Sequence, residues 1–294
     1  MTTLLLGANG QLGRHLRAEI DGMVTCARSG ADHTLDLSDI ESVPALLDRV
    51  RPDVIVNAAA WTAVDDAEAH ESEAFRLNHD LPAALAGWCR GHDALLVHYS
   101  TDYVFSGEPG RPWREDDPVA PESAYGRTKL AGEQAIAISG CRALVLRTAW
   151  VYSALPGNFV SAILKRAGDG QDLKVVADQT GSPTWAGTLA QATRQLLSLG
   201  QRVDRPELLH VSGQGAMTWH ALAERAVQLA AERGIIPDIV GVEPIGSDQW
   251  PQKARRPAWS VLDGSRYEQL TGQRLPSCEQ ALTECLDRWS KAPC

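Results

Sequence analysis

Residues 3–13 read Thr-Leu-Leu-Leu-Gly-Ala-Asn-Gly-Gln-Leu-Gly. A short apolar run ending in spaced glycines predicts a strand, a tight turn and the start of a helix. Glycine at positions 7, 10 and 13 lets the backbone turn sharply and approach a pyrophosphate, whose charge then rests on the helix N-terminus. The spacing is a variant of Gly-x-Gly-x-x-Gly, so an ordinary strand–helix turn is the competing reading.

The same alternation continues outward. Strands are expected at Met23–Ala27, Asp53–Ala60, Ala94–Tyr99 and Ala143–Thr148. Helices are expected around Val43–Val50, with Ser38 or Asp39 as N-cap, then at Glu71–Trp88 and Ala124–Ile138. Regular alternation implies an α/β fold, a Rossmann-like doubly wound parallel sheet with helices on both faces. After about residue 155 the regularity loosens into turn signals at Pro156-Gly157, Gly168–Gly170 and Gly181-Ser182-Pro183. Helices return near Gly187–Leu199, Trp219–Glu232 and Glu279–Lys291. The expected organisation is a dinucleotide-binding domain over 1–155, to which 187–215 returns. Residues 156–186 and 216–294 would form a smaller C-terminal α/β substrate lobe.

Bulk properties narrow the class. Of 294 residues, 44% are hydrophobic and 22% charged, which suits a soluble enzyme. The net charge is -9, and no basic run exceeds Arg255-Arg256, so a nucleic-acid partner is not expected. An anionic substrate would need a local cationic pocket. Six scattered cysteines without a Cys-x-x-Cys pair imply reduced thiols rather than a disulfide framework or a zinc site. With no basic leader and no stretch of ~20 apolar residues, the expected location is the cytoplasm, with no membrane partner.

Four constellations carry candidate chemistry. Tyr125 and Lys129 stand at i and i+4 of one helix and share a face. A free tyrosine keeps its proton until about pH 10, and a neighbouring ammonium lowers that value. Such a phenol can exchange a proton with a carbonyl or alcohol oxygen near neutrality. Ser100-Thr101-Asp102 directly follows an apolar strand, at the carboxyl edge where open α/β sheets bind ligands. A hydroxyl there can polarise a substrate carbonyl, while a simple capping turn is the alternative. Asn57-Ala58-Ala59-Ala60-Trp61-Thr62 leaves room for a flat ligand against backbone, or is a well-packed strand end. Cys26-Ala27-Arg28-Ser29 follows the second strand, where an arginine favours a 2′-phosphate and therefore NADPH. Arg28 as a solvated loop charge is the alternative, and NADH remains open as the cofactor.

Taken together, GANGQLG, VNAAAWTAVDDAE, HYSTDYVFSG, YGRTKLAGE, LRTAWVY, Gly157-Asn158-Phe159, DQTGSPT and the late RRP resemble the extended short-chain dehydrogenase/reductases. Within them the chain looks like the dTDP-4-dehydrorhamnose reductase family over nearly its whole length. The resemblance implies NADPH-dependent reduction of the 4-keto group of dTDP-4-dehydro-β-L-rhamnose. Tyr125 would supply the proton, Lys129 would depress the Tyr125 pKa and bind the nicotinamide ribose, and Thr101 would polarise the carbonyl with Asp102 and Tyr103 beside it. Gly7, Gly10, Gln11, Leu12 and Gly13 would meet the pyrophosphate. Arg28, Asp36 and Leu37 would lie at the adenosine end, and Ala58, Ala59, Ala60, Trp61, Thr62 and Tyr99 along the nicotinamide side. Trp150 would pack on the sugar, with Asn158, Phe159, Gln179 and Arg256 towards the nucleotide.

Some members form a dimer bridged by magnesium through glutamates, but the matching places here hold His15 and Gly187. No metal is therefore expected, and the chain should be a monomer or a homodimer not bridged by magnesium. Two alternatives stay open: a reductase of another dTDP-4-keto-6-deoxy sugar, including a 6-deoxytalose-forming one, and a non-catalytic regulatory subunit.

Overall fold

The computed structural model describes residues 1–108 and 110–289; Lys291, at the end of the last expected helix, and Cys294 lie outside the described residues. Seven strands form one parallel sheet: β1 Thr3–Leu6, β2 Val24–Ala27, β3 His33–Thr34, β4 Val54–Asn57, β5 Leu95–Thr101, β6 Ala143–Thr148 and β7 Pro206–His210. Their order is 7-6-5-4-1-2-3, and each neighbouring pair is parallel. The strand order reverses between β1 and β4, the switch point at which doubly wound sheets bind dinucleotides.

The strands are apolar on both faces because helices cover both. Leu5, Val56, Val97, Leu144 and Leu146 pack on one side, beneath α1 (Gln11–Glu19) and α6 (Ala186–Ser198). Leu4, Leu6, Ile55, Leu96 and Val145 pack on the other. There they meet α2 (Val43–Val50), α3 (Leu81–His92) and α4 (Ala124–Ser139). Successive strand residues face opposite layers, which accounts for runs such as ALLVHY.

Three further helices, α5 (Phe159–Gly168), α7 (Trp219–Glu232) and α8 (Cys278–Trp289), enclose a second core around Tyr152, Trp185, Leu222 and Leu282. A parallel pair, Leu173–Val176 with Val242–Ile245, lies in this lobe. The chain is not partitioned cleanly by sequence position. Tyr267 and Leu275, late in the chain, pack into the sheet core beside α6.

Two local expectations are corrected. Neither Ser38 nor Asp39 caps α2. The chain first tightens into a 3₁₀ turn, Ile40–Ser42, and Asp39 instead accepts a hydrogen bond from the Ser42 hydroxyl at 2.6 Å. Pro44, in the first turn of α2, removes one N–H that a cap would have served. Nor is Glu71–Trp88 a single α-helix. Glu71–Phe75 leads into a π-turn, Arg76–Asp80, before α3 begins. Pro82 supplies no N–H to the carbonyl of Asn78, so regular α-helical bonding is interrupted there. Among the described residues no helix is long and apolar enough to cross a membrane.

Candidate active site

At β1 the glycine turn brings backbone to within the reach of backbone. Gly7 has φ +76°, and a Cβ there would lie 2.8 Å from the Ala59 nitrogen. A Cβ on Gly13 would lie 2.2 Å from the Gly7 oxygen. Gly10 precedes α1 without any side-chain cap, so its first N–H groups stay available to an anion. Gln11 points away towards the lobe, donating to the Val151 carbonyl at 2.9 Å and accepting from the Ser153 hydroxyl at 3.1 Å. Leu12 packs against the sheet core. Arg28 is exposed at the end of β2. It helps, after the bonds from Ser38, to hold the Asp36 carboxyl below its ordinary value. Leu37 is buried beside them. Ala58, Ala59 and Ala60 are half-buried beyond β4, and Thr62 is exposed.

The candidate chemical centre lies where β5 ends. Thr101 caps a 3₁₀ turn, Asp102–Val104, by accepting from the Tyr103 N–H at 3.2 Å, and its hydroxyl donates to Asp102 at 3.1 Å. Asp102 is buried with one carboxylate oxygen unpartnered, and burial pushes it up to about 6. Ser123 caps α4 by accepting from the Gly126 N–H, which sets Tyr125 in the first turn. Tyr103 meets the Tyr125 ring edge-on, with centroids 5.6 Å apart. Desolvation pushes the Tyr125 phenol up to about 12, opposed by the nearby Thr101 hydroxyl.

Lys129, on the same helix as Tyr125, makes its hydrogen bonds to β5. Nζ donates to the Tyr99 carbonyl at 2.6 Å and lies 3.1 Å from Nε2 of His98. Burial brings Lys129 down to about 8. The side chain thus reaches onto β5 from α4. The Tyr99 hydroxyl faces the other layer, 2.7 Å from Thr193 of α6.

The lobe-side candidates divide into rings and spent amides. Trp150 has φ 49° and stacks flat on Trp219 at 3.5 Å, and Phe159 leans on the same indole. The Asn158 amide is committed to capping α5, accepting from the Ser161 N–H and donating to the Ser153 and Leu155 carbonyls. Gln179 is buried and donates to Ser247 at 2.8 Å. Arg256 is not a free cation. It forms a fork with Asp65 at 3.0 and 2.6 Å, and this bond holds the Asp65 carboxyl down to about 2. His15 meets the edge of the Trp185 ring, and a Cβ on Gly187 would lie 2.3 Å from that ring. An indole, with Arg288 over its face, fills the space beside both residues.

Several supporting residues were not singled out from sequence. Asn78, in the π-turn, accepts from the Trp61 N–H at 2.9 Å and donates to the Trp61 carbonyl and the Thr128 hydroxyl. It thereby ties the loop after β4 to α4; π-turns of this kind are frequent at functional sites. Arg147 of β6 holds Glu133 of α4 through a buried fork at 2.9 and 2.6 Å. Asn57, His98, Ser100 and Arg147 interrupt otherwise apolar strands on the α4 side. That break in pattern was the available signal.

A parallel sheet reversing at the glycine turn, with threonine, tyrosine and lysine gathered at its carboxyl edge, defines a Rossmann-type oxidoreductase of the extended short-chain dehydrogenase/reductase class. The family described as RmlD substrate binding domain matches residues 1–291, and the chain belongs to that family. It is 38% identical over 296 residues to dTDP-4-dehydrorhamnose reductase of Burkholderia thailandensis, covering 97% of this chain and 98% of that one. It is 42% identical over 269 residues to the "probable dTDP-4,6-dihydroxy-2-methyloxan-3-one 4-ketoreductase" of Streptomyces antibioticus, covering 91% and 88%. Its fold matches the crystal structure of dTDP-4-dehydrorhamnose reductase from Bacillus anthracis in complex with NADP. The TM-score is 0.88 at 29% identity, with 98% of this chain and 100% of that one covered.

Proposed function

We propose that this protein reduces the 4-keto group of dTDP-4-dehydro-β-L-rhamnose to give dTDP-L-rhamnose, using NADPH, with NADH as a possible second donor. The observation that carries this reading is that α4 sets Tyr125 against Tyr103, beside the Thr101-Asp102 end of β5 at the sheet's carboxyl edge. The glycine turn fits a dinucleotide: a Cβ at Gly7 or Gly13 would strike neighbouring backbone, and the exposed Gly10 leaves the first N–H groups of α1 uncapped for a pyrophosphate. Arg28, beside Asp36, suits a 2′-phosphate better than a bare ribose.

When bound, NADPH would supply the hydride. The chain's own residues do the rest. When substrate binds, Thr101 would turn its hydroxyl from Asp102 to the substrate carbonyl and polarise it. Tyr125 gives its proton to the oxygen as negative charge develops there. Burial holds that proton on the phenol until then. The Trp150–Trp219 stack offers an apolar wall for the sugar. The Arg256–Asp65 fork stands near Tyr103, and a diphosphate would compete with Asp65 for the guanidinium. We place the protein in the cytoplasm, as a monomer or a dimer held without magnesium.

The test is turnover of dTDP-4-dehydrorhamnose followed by NADPH absorbance. Oxidation of NADPH is expected, and no turnover with either nicotinamide cofactor would refute the enzyme reading. A second reading, reduction of a different dTDP-4-keto-6-deoxy sugar, is favoured by the 42% identity to a 4-ketoreductase with another substrate name. NMR of the product separates rhamnose from 6-deoxytalose and from other sugars. A regulatory subunit is disfavoured because Thr101, Tyr125 and Lys129 are all retained.

A further inference from the structure

Asp65 lies in the short helical turn Val64–Ala67, beyond the loop that follows β4. Its carboxylate reaches a segment far along the chain. Oδ1 accepts from the Lys253 N–H at 3.0 Å and from the Ala254 N–H at 2.9 Å. The same oxygen accepts from Arg256 Nη1 at 3.0 Å, and Oδ2 accepts from Nη2 at 2.6 Å. Two successive backbone N–H groups and a guanidinium make a concavity suited to an anion, and a carboxylate of the chain's own fills it. The Arg256 bond holds Asp65 down to about 2, so the carboxylate is charged at neutral pH.

The two halves of this contact differ in how easily they open. Ala254 is buried, and Asp65 is the acceptor for its N–H. A buried N–H left without an acceptor is costly, so this half holds firmly. Arg256 has further acceptors: Nη1 also donates to Gln252 Oε1 at 3.1 Å and to the Ala254 carbonyl at 3.4 Å. The Arg256 side chain is 20% exposed and that of Asp65 41%, so water reaches the fork and opening it costs little. We propose that Asp65 is a two-part latch. Its backbone half fixes residues 253–256 in place. Its guanidinium half yields Arg256 to an anionic group of the substrate and takes it back when product leaves. The inference rests on the proposed reading of the substrate as a nucleoside diphosphate sugar, whose diphosphate would be that group.

The segment that carries Asp65 also grips α4. Glu68 accepts from the Ala124 N–H at 2.8 Å, and Glu71 forms a fork with Arg127 at 3.0 and 2.8 Å. Ala67 clusters with Ala74 and Ala124, against which Trp61 and Tyr125 pack. Residues 253–256 are thus fixed, through residues 65–71, to the helix that bears Tyr125. The Arg256 guanidinium in turn acts on the Tyr103 phenol, whose ring meets Tyr125 edge-on. Opening the fork leaves this framework standing, because neither the backbone half nor the Glu68 and Glu71 bonds involve Arg256. Substrate and product carry the same diphosphate, so the carboxylate opposes both equally. It weakens binding without touching the chemical step, and it favours product release. Asp65 is a positioning residue that acts through Arg256 and the backbone beside it.

Asp65→Asn separates the two halves. The amide oxygen still accepts from the Lys253 and Ala254 N–H groups, while the NH₂ cannot hold a guanidinium. Asp65→Ala removes both. In calorimetric titration dTDP should bind Asp65→Asn about two- to fivefold more tightly than the wild type, the range of a partly exposed ion pair. KM for the dTDP-sugar should fall with it, without a rise in kcat. Asp65→Ala should bind dTDP more weakly than Asp65→Asn. Amide exchange should show Lys253 and Ala254 protected in the wild type and in Asp65→Asn, and unprotected in Asp65→Ala. Binding of dTDP no tighter in Asp65→Asn than in the wild type would overturn the proposal, as would equal affinity and protection in the two variants. Loss of protection at Lys253 and Ala254 when the wild type is saturated with dTDP would do the same. Neither titration nor exchange needs reduction, so failure here is distinct from failure of turnover with NADPH. If Asp65→Ala does not fold, Asp65→Asn and the wild-type exchange decide.

Discussion

Tyr125 and Asp102 lie close enough for the carboxyl to act on the phenol, and both are driven the same way: desolvation raises both above their ordinary values. For Tyr125 this preserves the proton it is proposed to deliver. Tyr125→Phe is expected to lower kcat by about 10²–10⁴-fold. NADPH affinity, measured by fluorescence titration, should persist; its loss would mark a structural role instead. For Asp102 the consequence concerns stability. Its folded value of about 6 lies above the unfolded value of 3.8, so the native state binds the extra proton between those limits. Stability from this group is therefore present at low pH and lost as pH rises through about 6. Asp102→Asn removes the charge and should stabilise the protein at pH 7 by about 1–3 kcal/mol, with little gain near pH 4. Denaturant unfolding at the two pH values measures the difference. Turnover is expected to fall, because Thr101 loses the carboxylate that orients its hydroxyl.

At the scale of elements, the position of α4 controls the site, since it carries both Tyr125 and Lys129. Among the contacts that hold it are Arg147–Glu133 to β6, Asn78–Thr128 to the π-turn, and close backbone approach at Gly132. A Cβ at Gly132 would lie 2.1 Å from the Asn78 carbonyl oxygen, and backbone on both sides cannot yield as a side chain could. Gly132→Ala is expected to destabilise the fold by about 1–3 kcal/mol and to depress kcat by displacing α4. Thermal melts and steady-state kinetics check the two parts. The π-turn itself was hidden in sequence, because Glu71–Trp88 keeps a helical apolar pattern across it. Pro82 was its only local mark, and one proline does not show that a carbonyl will be turned towards another helix.

The whole molecule joins a nucleotide-binding sheet to a lobe whose core is closed by Trp185. That indole lies between His15 of α1 and Arg288 of α8, and it occupies the space where any side chain at Gly187 would stand. A resident cation and an apolar ring leave no oxygen-rich cavity for a hard metal ion at that place. EDTA should therefore leave both turnover and the oligomeric state unchanged, as read by sizing with light scattering; dissociation of a dimer on chelation would contradict this. The order of strands and helices and the glycine turn were readable from residues alone. Both follow from apolar periodicity and from glycine's freedom, which act over a few neighbouring positions. Thr101, Tyr125 and Lys129 stood out as candidates for the same reason, as reactive residue types at short spacings. Their partners were not readable. Lys129 turns to His98 and Tyr99, Arg256 is taken by Asp65, and Asn158 spends its amide on a helix end. Such choices depend on which distant residues burial brings together, and only packing of the strands and helices settles which donor meets which acceptor.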